Sequence, residues 1–98
     1  MPTFVTTIKF TDQGIANVRD TTQRVNSFKS EAEKMGVNVT DVFWTLGPFD
    51  GLMIFNAPDE ETATALMLHL GSLGNVQTQT GRAFRESEMA NVLSKLSG

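Results

Sequence analysis

The sequence predicts an α+β protein with a ferredoxin-like β-α-β-β-α-β order, followed by a C-terminal amphipathic helix. An unbroken apolar run at 52–55, bounded by Gly51 and by Pro58, is typical of a strand buried on both faces. Two helix-length segments with apolar residues three and four apart lie between strand-like segments. This order is that of the split βαβ fold, a four-stranded antiparallel sheet with two helices on one face.

The first half of the chain predicts a strand, a short turn and the main helix. Residues 3–10 are rich in β-branched and aromatic types that alternate along a strand. We expect a short turn at 12–18 and a helix at about 20–35, with a capping box from Asp20 to Gln23. The two faces of the first strand are predicted to carry Phe4, Thr6, Ile8 and Phe10 on one side, and Thr3, Val5, Thr7 and Lys9 on the other.

The second half predicts a hairpin, a helix, an edge strand and a terminal helix. Strict alternation in the second strand, at 37–46, predicts one face of Val42, Trp44 and Leu46 and another of Val37, Val39 and Phe43. The remaining elements are expected as a third strand at 52–57, a helix opening at Pro58, a fourth and polar strand at 76–84, and a short amphipathic helix at 87–96.

Composition limits the classes of function. The 98 residues are 40% hydrophobic and 19% charged, with a net charge of −3, which predicts one small globular domain over 1–98. The mild acidity argues against nucleic-acid binding, and the lack of cysteine excludes disulfides and thiolate catalysis. Neither a signal-peptide pattern nor an apolar stretch of about 20 residues is present, so we expect a cytoplasmic protein that does not bind membranes.

The predicted sheet has one face that the helices leave uncovered. Strands two and three carry apolar side chains on both faces, so this open face would expose an apolar patch of the kind that marks an interface. We therefore predict a homodimer packed sheet face to sheet face, with the terminal helix covering the seam. The alternative is that the terminal helix folds over its own sheet and leaves a monomer.

Several segments together resemble the GYD-domain family. They are 47–51 (Gly-Pro-Phe-Asp-Gly), 56–59 (Asn-Ala-Pro-Asp) and 70–80, with flanking support from 10–14 and 41–47. The resemblance covers nearly the whole chain and implies a small ferredoxin-like domain of the kind that forms dimeric α/β barrels. It implies no catalytic residue. Phe49 stands where the family name carries a tyrosine, so a phenol hydroxyl is missing there.

Few residues suggest chemistry. Asp50 lies in the hairpin turn, where Asp-Gly is ordinary turn chemistry, yet it could serve as a general base. His69 is the single histidine, and it is either a boundary residue or a proton shuttle. Trp44 either fills the core or an interface, or orients a ligand through its indole N–H. The three acids at 59–61 are expected to compensate a helix dipole rather than to bind a cation.

Two functions remain open at this point. The first is a non-catalytic module that binds a small apolar ligand or a protein partner. The second is a cofactor-independent enzyme of the dimeric α/β-barrel type acting on an apolar or aromatic metabolite, an idea that rests on fold analogy. In the second, a pocket between sheet and helices would be lined by Trp44, Phe49 and Phe55, with Asp50 or His69 transferring the proton and Arg82 anchoring an anion. Neither function requires a metal or a cofactor.

Overall fold

A computed structural model describes residues 1–97. Four strands alternate with helices in the order that the sequence predicts, and a 3₁₀ turn precedes both the second and the fourth helix. The elements are β1 (Thr3–Phe10), α1 (Asp12–Ala16), α2 (Thr21–Lys34), β2 (Asn38–Trp44), β3 (Gly51–Asn56), α3 (Glu60–Ser72), β4 (Val76–Ala83) and α4 (Met89–Leu93).

The strands form one antiparallel sheet in the order β2-β3-β1-β4, which confirms the predicted α+β, ferredoxin-like class. β1 and β3 are central, as expected from the continuous apolar run in β3. α2 lies over β2 and α3 over β4. Both helices cover the same face, because Phe28 of α2 and Leu66 of α3 belong to one core with Phe55.

Strand alternation divides the side chains into a helix-covered face and an open face. Phe4 lies opposite Phe55, and Thr6 lies opposite Met53; all four side chains are buried on the helix-covered face. The Phe4 and Phe55 rings stack with centroids 5.4 Å apart. The core is completed from the helices and their connections by Phe28, Ala32, Val37, Ala57, Ala63 and Leu66.

The prediction for the faces of the second strand was wrong before Asp41. The pairing of β2 with β3 shifts between Val39 and Asp41, which is a bulge that adds one residue to β2. Val39 therefore lies opposite Phe55 and packs against the core, on the same face as Val42. Val37, which precedes β2, is buried in the same core. Strict alternation had placed both valines on the other face.

The helix starts differ partly from expectation. The Asp20 side chain makes no capping hydrogen bond to α2, so the predicted capping box is wrong. Asp20 ends a 3₁₀ turn and has near-helical dihedrals, whereas a capping residue needs an extended backbone. At the start of α1, the Thr11 hydroxyl caps the helix by accepting a hydrogen bond from the Gly14 N–H at 3.1 Å.

β2 and the terminal α-helix are both shorter than predicted. β2 ends at Trp44, and Leu46 is fully solvent-exposed in the loop that follows. The predicted terminal helix begins with a 3₁₀ turn at Glu86–Glu88 and is α-helical only over Met89–Leu93. Among residues 1–97, no helix combines the length and the apolar character that crossing a membrane requires.

Candidate functional site

A cavity of about 430 Å³ lies between the two long helices and the centre of the sheet. It exists because α2 and α3 cover opposite halves of the sheet and leave the middle strands beneath a gap. Most of its wall is hydrocarbon or aromatic. The apolar lining includes Ile8, Phe10, Val25, Phe28, Val42, Trp44, Met53, Leu70, Leu73 and Val76.

Gly51 enlarges this cavity from below. It lies on the helix-covered face, opposite Ile8 on β1 and Trp44 on β2, where any other residue would project a side chain. A Cβ atom placed there would come within 3.1 Å of the Phe43 carbonyl oxygen and 3.5 Å of Ile8. The floor of the cavity is thus kept open by a missing side chain.

Trp44 forms one wall and is tied to the helix above it. Its indole Nε1 donates a hydrogen bond to the Thr21 hydroxyl at 3.0 Å, which joins the end of β2 to the first residue of α2. The side chain nevertheless remains 47% exposed. Because the N–H is already used by the protein, what the indole can offer a ligand is its apolar ring.

Asp50 reaches the cavity, but its carboxylate performs a structural task. Its Oδ2 accepts a hydrogen bond from the Phe10 N–H at 2.9 Å, and its own N–H donates to the Ile8 carbonyl at 2.8 Å. The Thr45 N–H in turn donates to the Asp50 carbonyl at 2.9 Å. These bonds fasten the β2–β3 loop to the end of β1.

His69 lies at the rim of the same cavity, on the exposed side of α3. Within residues 1–97, no hydrogen bond joins its imidazole to the Asp50 carboxylate or to a hydroxyl group. Nor do His, Asp and Glu side chains in that range cluster in a way that could hold a metal ion. The cavity wall therefore carries five titratable side chains, Asp20, Arg24, Glu31, Asp50 and His69, without a nucleophile–base pair among the described residues.

The other predicted site residues lie elsewhere. Phe55 is fully buried in the core, and Phe49 is half-buried in the loop, where its carbonyl accepts a hydrogen bond from the Thr45 hydroxyl at 2.7 Å. Neither lines the cavity. Arg82 lines a separate depression between α3 and β4, together with Phe4 and Thr80.

The Arg82 guanidinium is already bonded to groups of its own chain. One guanidinium nitrogen donates to the Thr3 carbonyl at 3.2 Å and also to the Ala83 carbonyl, and the other lies 3.4 Å from a Glu88 carboxylate oxygen. The guanidinium stacks 4.3 Å from the Phe84 ring centroid. These contacts fix the segment that follows β4 rather than leave a cation for a ligand.

The sequence reasoning missed seven polar residues that line the cavity: Asp20, Thr21, Gln23, Arg24, Ser27, Glu31 and Asn75. Arg24 lines it, and donates to the Asn17 carbonyl at 2.7 Å; Asn75 lines the opposite side. Arg24 precedes Phe28 by four residues and so lies on the buried stripe of α2, which is the signal that could have identified it. No pattern in the sequence marks Asn75, whose position depends on the turn after α3.

Comparison with known proteins agrees with this architecture. The GYD domain family model matches residues 4–93. A protein of Thermus thermophilus, named "Glutamine synthetase and cystathionine beta-lyase binding protein", is 33% identical over 90 residues, covering 91% of this chain and 95% of that protein.

Solved structures share the fold at lower identity. The crystal structure of MtbAldR superposes with a TM-score of 0.68 at 15% identity, over 87% of this chain and 52% of that one. A crystal structure of a Thermus thermophilus protein superposes with a TM-score of 0.56 at 23% identity, over 87% and 95% of the two chains. An ACT domain protein from Streptococcus pneumoniae gives 0.50 at 18% identity, over 85% and 90%.

Proposed function

The chain belongs to the GYD domain family, and within that family we propose that it acts as a homodimeric, non-catalytic binding module. Its ligand would be a small apolar or aromatic molecule held in the cavity between α2, α3 and the sheet. The observation that carries this proposal is the state of the polar groups around the cavity. The Asp50 carboxylate and the Trp44 N–H are both engaged in bonds that hold the fold, so the wall offers binding surface more than reactive groups.

The dimensions and chemistry of the cavity support a small ligand. Its volume of about 430 Å³ lies within the range of roughly 300–1,000 Å³ found for small-molecule sites. Such sites are lined mainly by apolar and aromatic side chains with a few polar groups that set orientation. Here the polar lining includes Arg24, His69 and Asn75, together with Asp20, Thr21, Gln23, Ser27, Glu31 and Asp50.

The chain supplies its own probe for a binding test, because Trp44 is the single tryptophan and lines the cavity. Anilinonaphthalene sulfonate, an apolar dye with one anionic group, should quench Trp44 fluorescence saturably as it binds. Ser27→Phe places a ring at the cavity from an exposed position on α2 and should weaken dye binding at least about tenfold.

Ser30→Phe is the matched control for this test. Ser30 is also exposed on α2 but does not line the cavity, so its variant should bind the dye like the wild type. Equal affinities for the two variants would show that the dye binds outside the cavity. Thr21→Val, which removes the bond to the indole, should shift the Trp44 emission in the free protein and so identify the reporting group.

Docking on another protein is the second candidate function. It is favoured by the 33% identical relative, which is named for binding glutamine synthetase and cystathionine β-lyase. Co-elution of this protein with either enzyme from its own organism, in size-exclusion chromatography, would support docking. If neither enzyme shifts its elution, the role for which the relative is named does not extend to this chain.

Catalysis has one observation in its favour, since Asp50 and His69 line the same cavity. If turnover of an apolar substrate were found, proton transfer by these groups would make its pH profile change in Asp50→Asn or in His69→Ala. An unchanged profile in both variants would exclude them as the acid or base.

The homodimer forms the remaining part of the proposal. The helices cover one face of the sheet only, and Phe43 on the other face is 50% exposed. Light scattering after size exclusion at micromolar concentration should give twice the 10.7 kDa mass of one chain. A mass equal to one chain would overturn the dimer while leaving the cavity as a ligand site.

A further inference from the structure

The chain ends in an apolar helical segment that its own fold does not bury. We call residues 84–97 the C-terminal arm. Every residue of the arm is exposed apart from Glu88, which is half-buried. The side chains of Met89, Val92, Leu93 and Leu96 are spaced as one stripe of a helix, yet Leu93 is 55% and Leu96 72% exposed.

The arm nevertheless leaves the sheet in a defined direction. Arg82 at the end of β4 lies 3.4 Å from the Glu88 carboxylate and stacks on Phe84, the first residue of the arm. The Arg85 N–H donates to the other Glu88 oxygen at 3.0 Å, closing the 3₁₀ turn before α4. α4 then packs chiefly against this turn. An apolar stripe is thus held away from the core by specific contacts.

The solvent-exposed surface of the chain is larger than that of a compact monomer of the same mass. A monomeric protein of this mass exposes about 5,500 Å², whereas this chain exposes 6565 Å². Its radius of gyration is 14.9 Å, against about 13 Å for a compact domain of this length. The excess of about 1,000 Å² is comparable to the roughly 800 Å² per partner that a stable interface buries.

The open face of the sheet offers a surface of matching character. Phe43 and Leu52 lie opposite each other on β2 and β3, and Ile54 lies opposite Val5 on β1. All four side chains are at least partly exposed. The apolar area is confined to these three strands, since β4 presents polar side chains such as Gln77 and Gln79 to the same face.

We infer that the arm is exchanged between two copies of this chain, each α4 stripe packing on the open sheet face of the other copy. One chain carries both surfaces, so a two-fold pair closes on itself with each contact made twice. The contacts of Arg82 with Glu88 and Phe84 hold the start of the arm beside the end of β4. This inference rests on the homodimer in the proposed function and specifies which residues form its interface.

Cysteine cross-linking tests the exchange directly, because the chain has no native cysteine. Leu93→Cys and Ile54→Cys are prepared as two separate full-length variants, mixed and oxidised with copper phenanthroline. Exchange predicts a covalent heterodimer of the two variants on a non-reducing gel. Leu68→Cys mixed with Ile54→Cys is the matched control, because Leu68 is 69% exposed on α3, outside the arm.

Solution mass gives an independent readout. The double variant Leu93→Asp/Leu96→Asp should raise the dimer dissociation constant at least about a hundredfold, whereas Leu68→Asp should leave it unchanged. A dimer that keeps its mass in the arm variant, with no cross-link between the Leu93→Cys and Ile54→Cys chains, would overturn the exchange but not the dimer. A monomeric wild type would overturn both, and the dye-binding test of the cavity would be unaffected.

Discussion

The two faces of the sheet are built from the same strands and reach different degrees of burial. On the helix-covered face, Phe55 is completely buried and stacks on Phe4. On the open face, Ile54, its neighbour in sequence, is only partly buried. A strand covered on one side needs only alternate apolar residues, so the unbroken apolar run of β3 is more than one chain uses. The difference leaves apolar side chains of β3 on a face that the helices do not cover.

Truncating the two neighbours in β3 should separate the faces most strongly. Phe55→Ala removes a ring from the centre of the core and should destabilise the fold by about 3–5 kcal/mol, since the stacked partner Phe4 cannot fill the space. Ile54→Ala should cost the isolated chain about 1 kcal/mol, because part of that side chain is already in water. Urea unfolding, at a protein concentration where light scattering gives the mass of one chain, measures both.

The two variants should rank in the opposite order when self-association is measured instead of unfolding. Ile54→Ala should weaken the proposed dimer, whereas a folded fraction of Phe55→Ala should associate normally. Equal losses of unfolding free energy for the two variants in the monomer would mean that both faces are buried within one chain, and the comparison would fail.

Adding one methyl group compares a closely packed position with a position on the open face, with a smaller expected effect. A Cβ atom at Gly14 would overlap the Asn75 carbonyl oxygen, where α1 packs on the turn before β4. Gly14→Ala must therefore displace backbone and should cost at least about 1–3 kcal/mol. Thermal unfolding followed by circular dichroism measures the loss.

Gly81 provides the control on the open face. It lies opposite Val5 on the open side of β4, and a Cβ atom there meets nothing within 4 Å. Gly81→Ala should be neutral or should stabilise by up to about 1 kcal/mol through the lower entropy of the unfolded chain. A loss at Gly81 similar to that at Gly14 would show that the open face is already closely covered in the monomer.

The two faces of each strand could be predicted from the sequence only where the strand pairing is regular. β1 was predicted at its observed bounds because alternation over eight residues leaves one register only. Val39 was assigned to the wrong face because a bulge inserts a residue without any residue type that marks it. Alternation thus predicts faces well until the strand departs from regular pairing.

The candidate site was predictable to a similar extent. Trp44, Asp50 and His69 share one cavity between sheet and helices, where the sequence reasoning had placed a pocket. Phe55 and Arg82 do not reach it. Phe55 packs beneath α3 and α2 as core, and Arg82 pairs with Glu88, a contact set by how the chain turns after β4. Such tertiary pairings carry no local sequence signal.

The smallest predicted effect concerns the arm at acid pH. The Arg85 N–H bonded to Glu88 lowers the pKa of that carboxyl below its ordinary value, and Arg82 acts in the same direction. A lowered pKa means that the folded arm binds the proton less readily than the unfolded chain does. The stabilisation is therefore complete above the ordinary glutamate pKa of about 4.3, and it is lost as pH falls through the lowered value.

The Arg85 amide reports this titration directly. Its proton chemical shift in NMR spectra should move on acidification with a midpoint below the ordinary glutamate pKa, and Glu88→Gln should abolish the movement. The Thr62 amide is an internal control, since it donates to Asp59 at the start of α3 and lowers the pKa of that carboxyl independently of the arm.

A midpoint for Arg85 at or above the ordinary value would mean that Glu88 does not hold the arm, and the open face would then lack a defined partner segment. With the expected midpoint, acid should loosen the arm while the helix-covered core stays intact, because none of the core residues is ionisable.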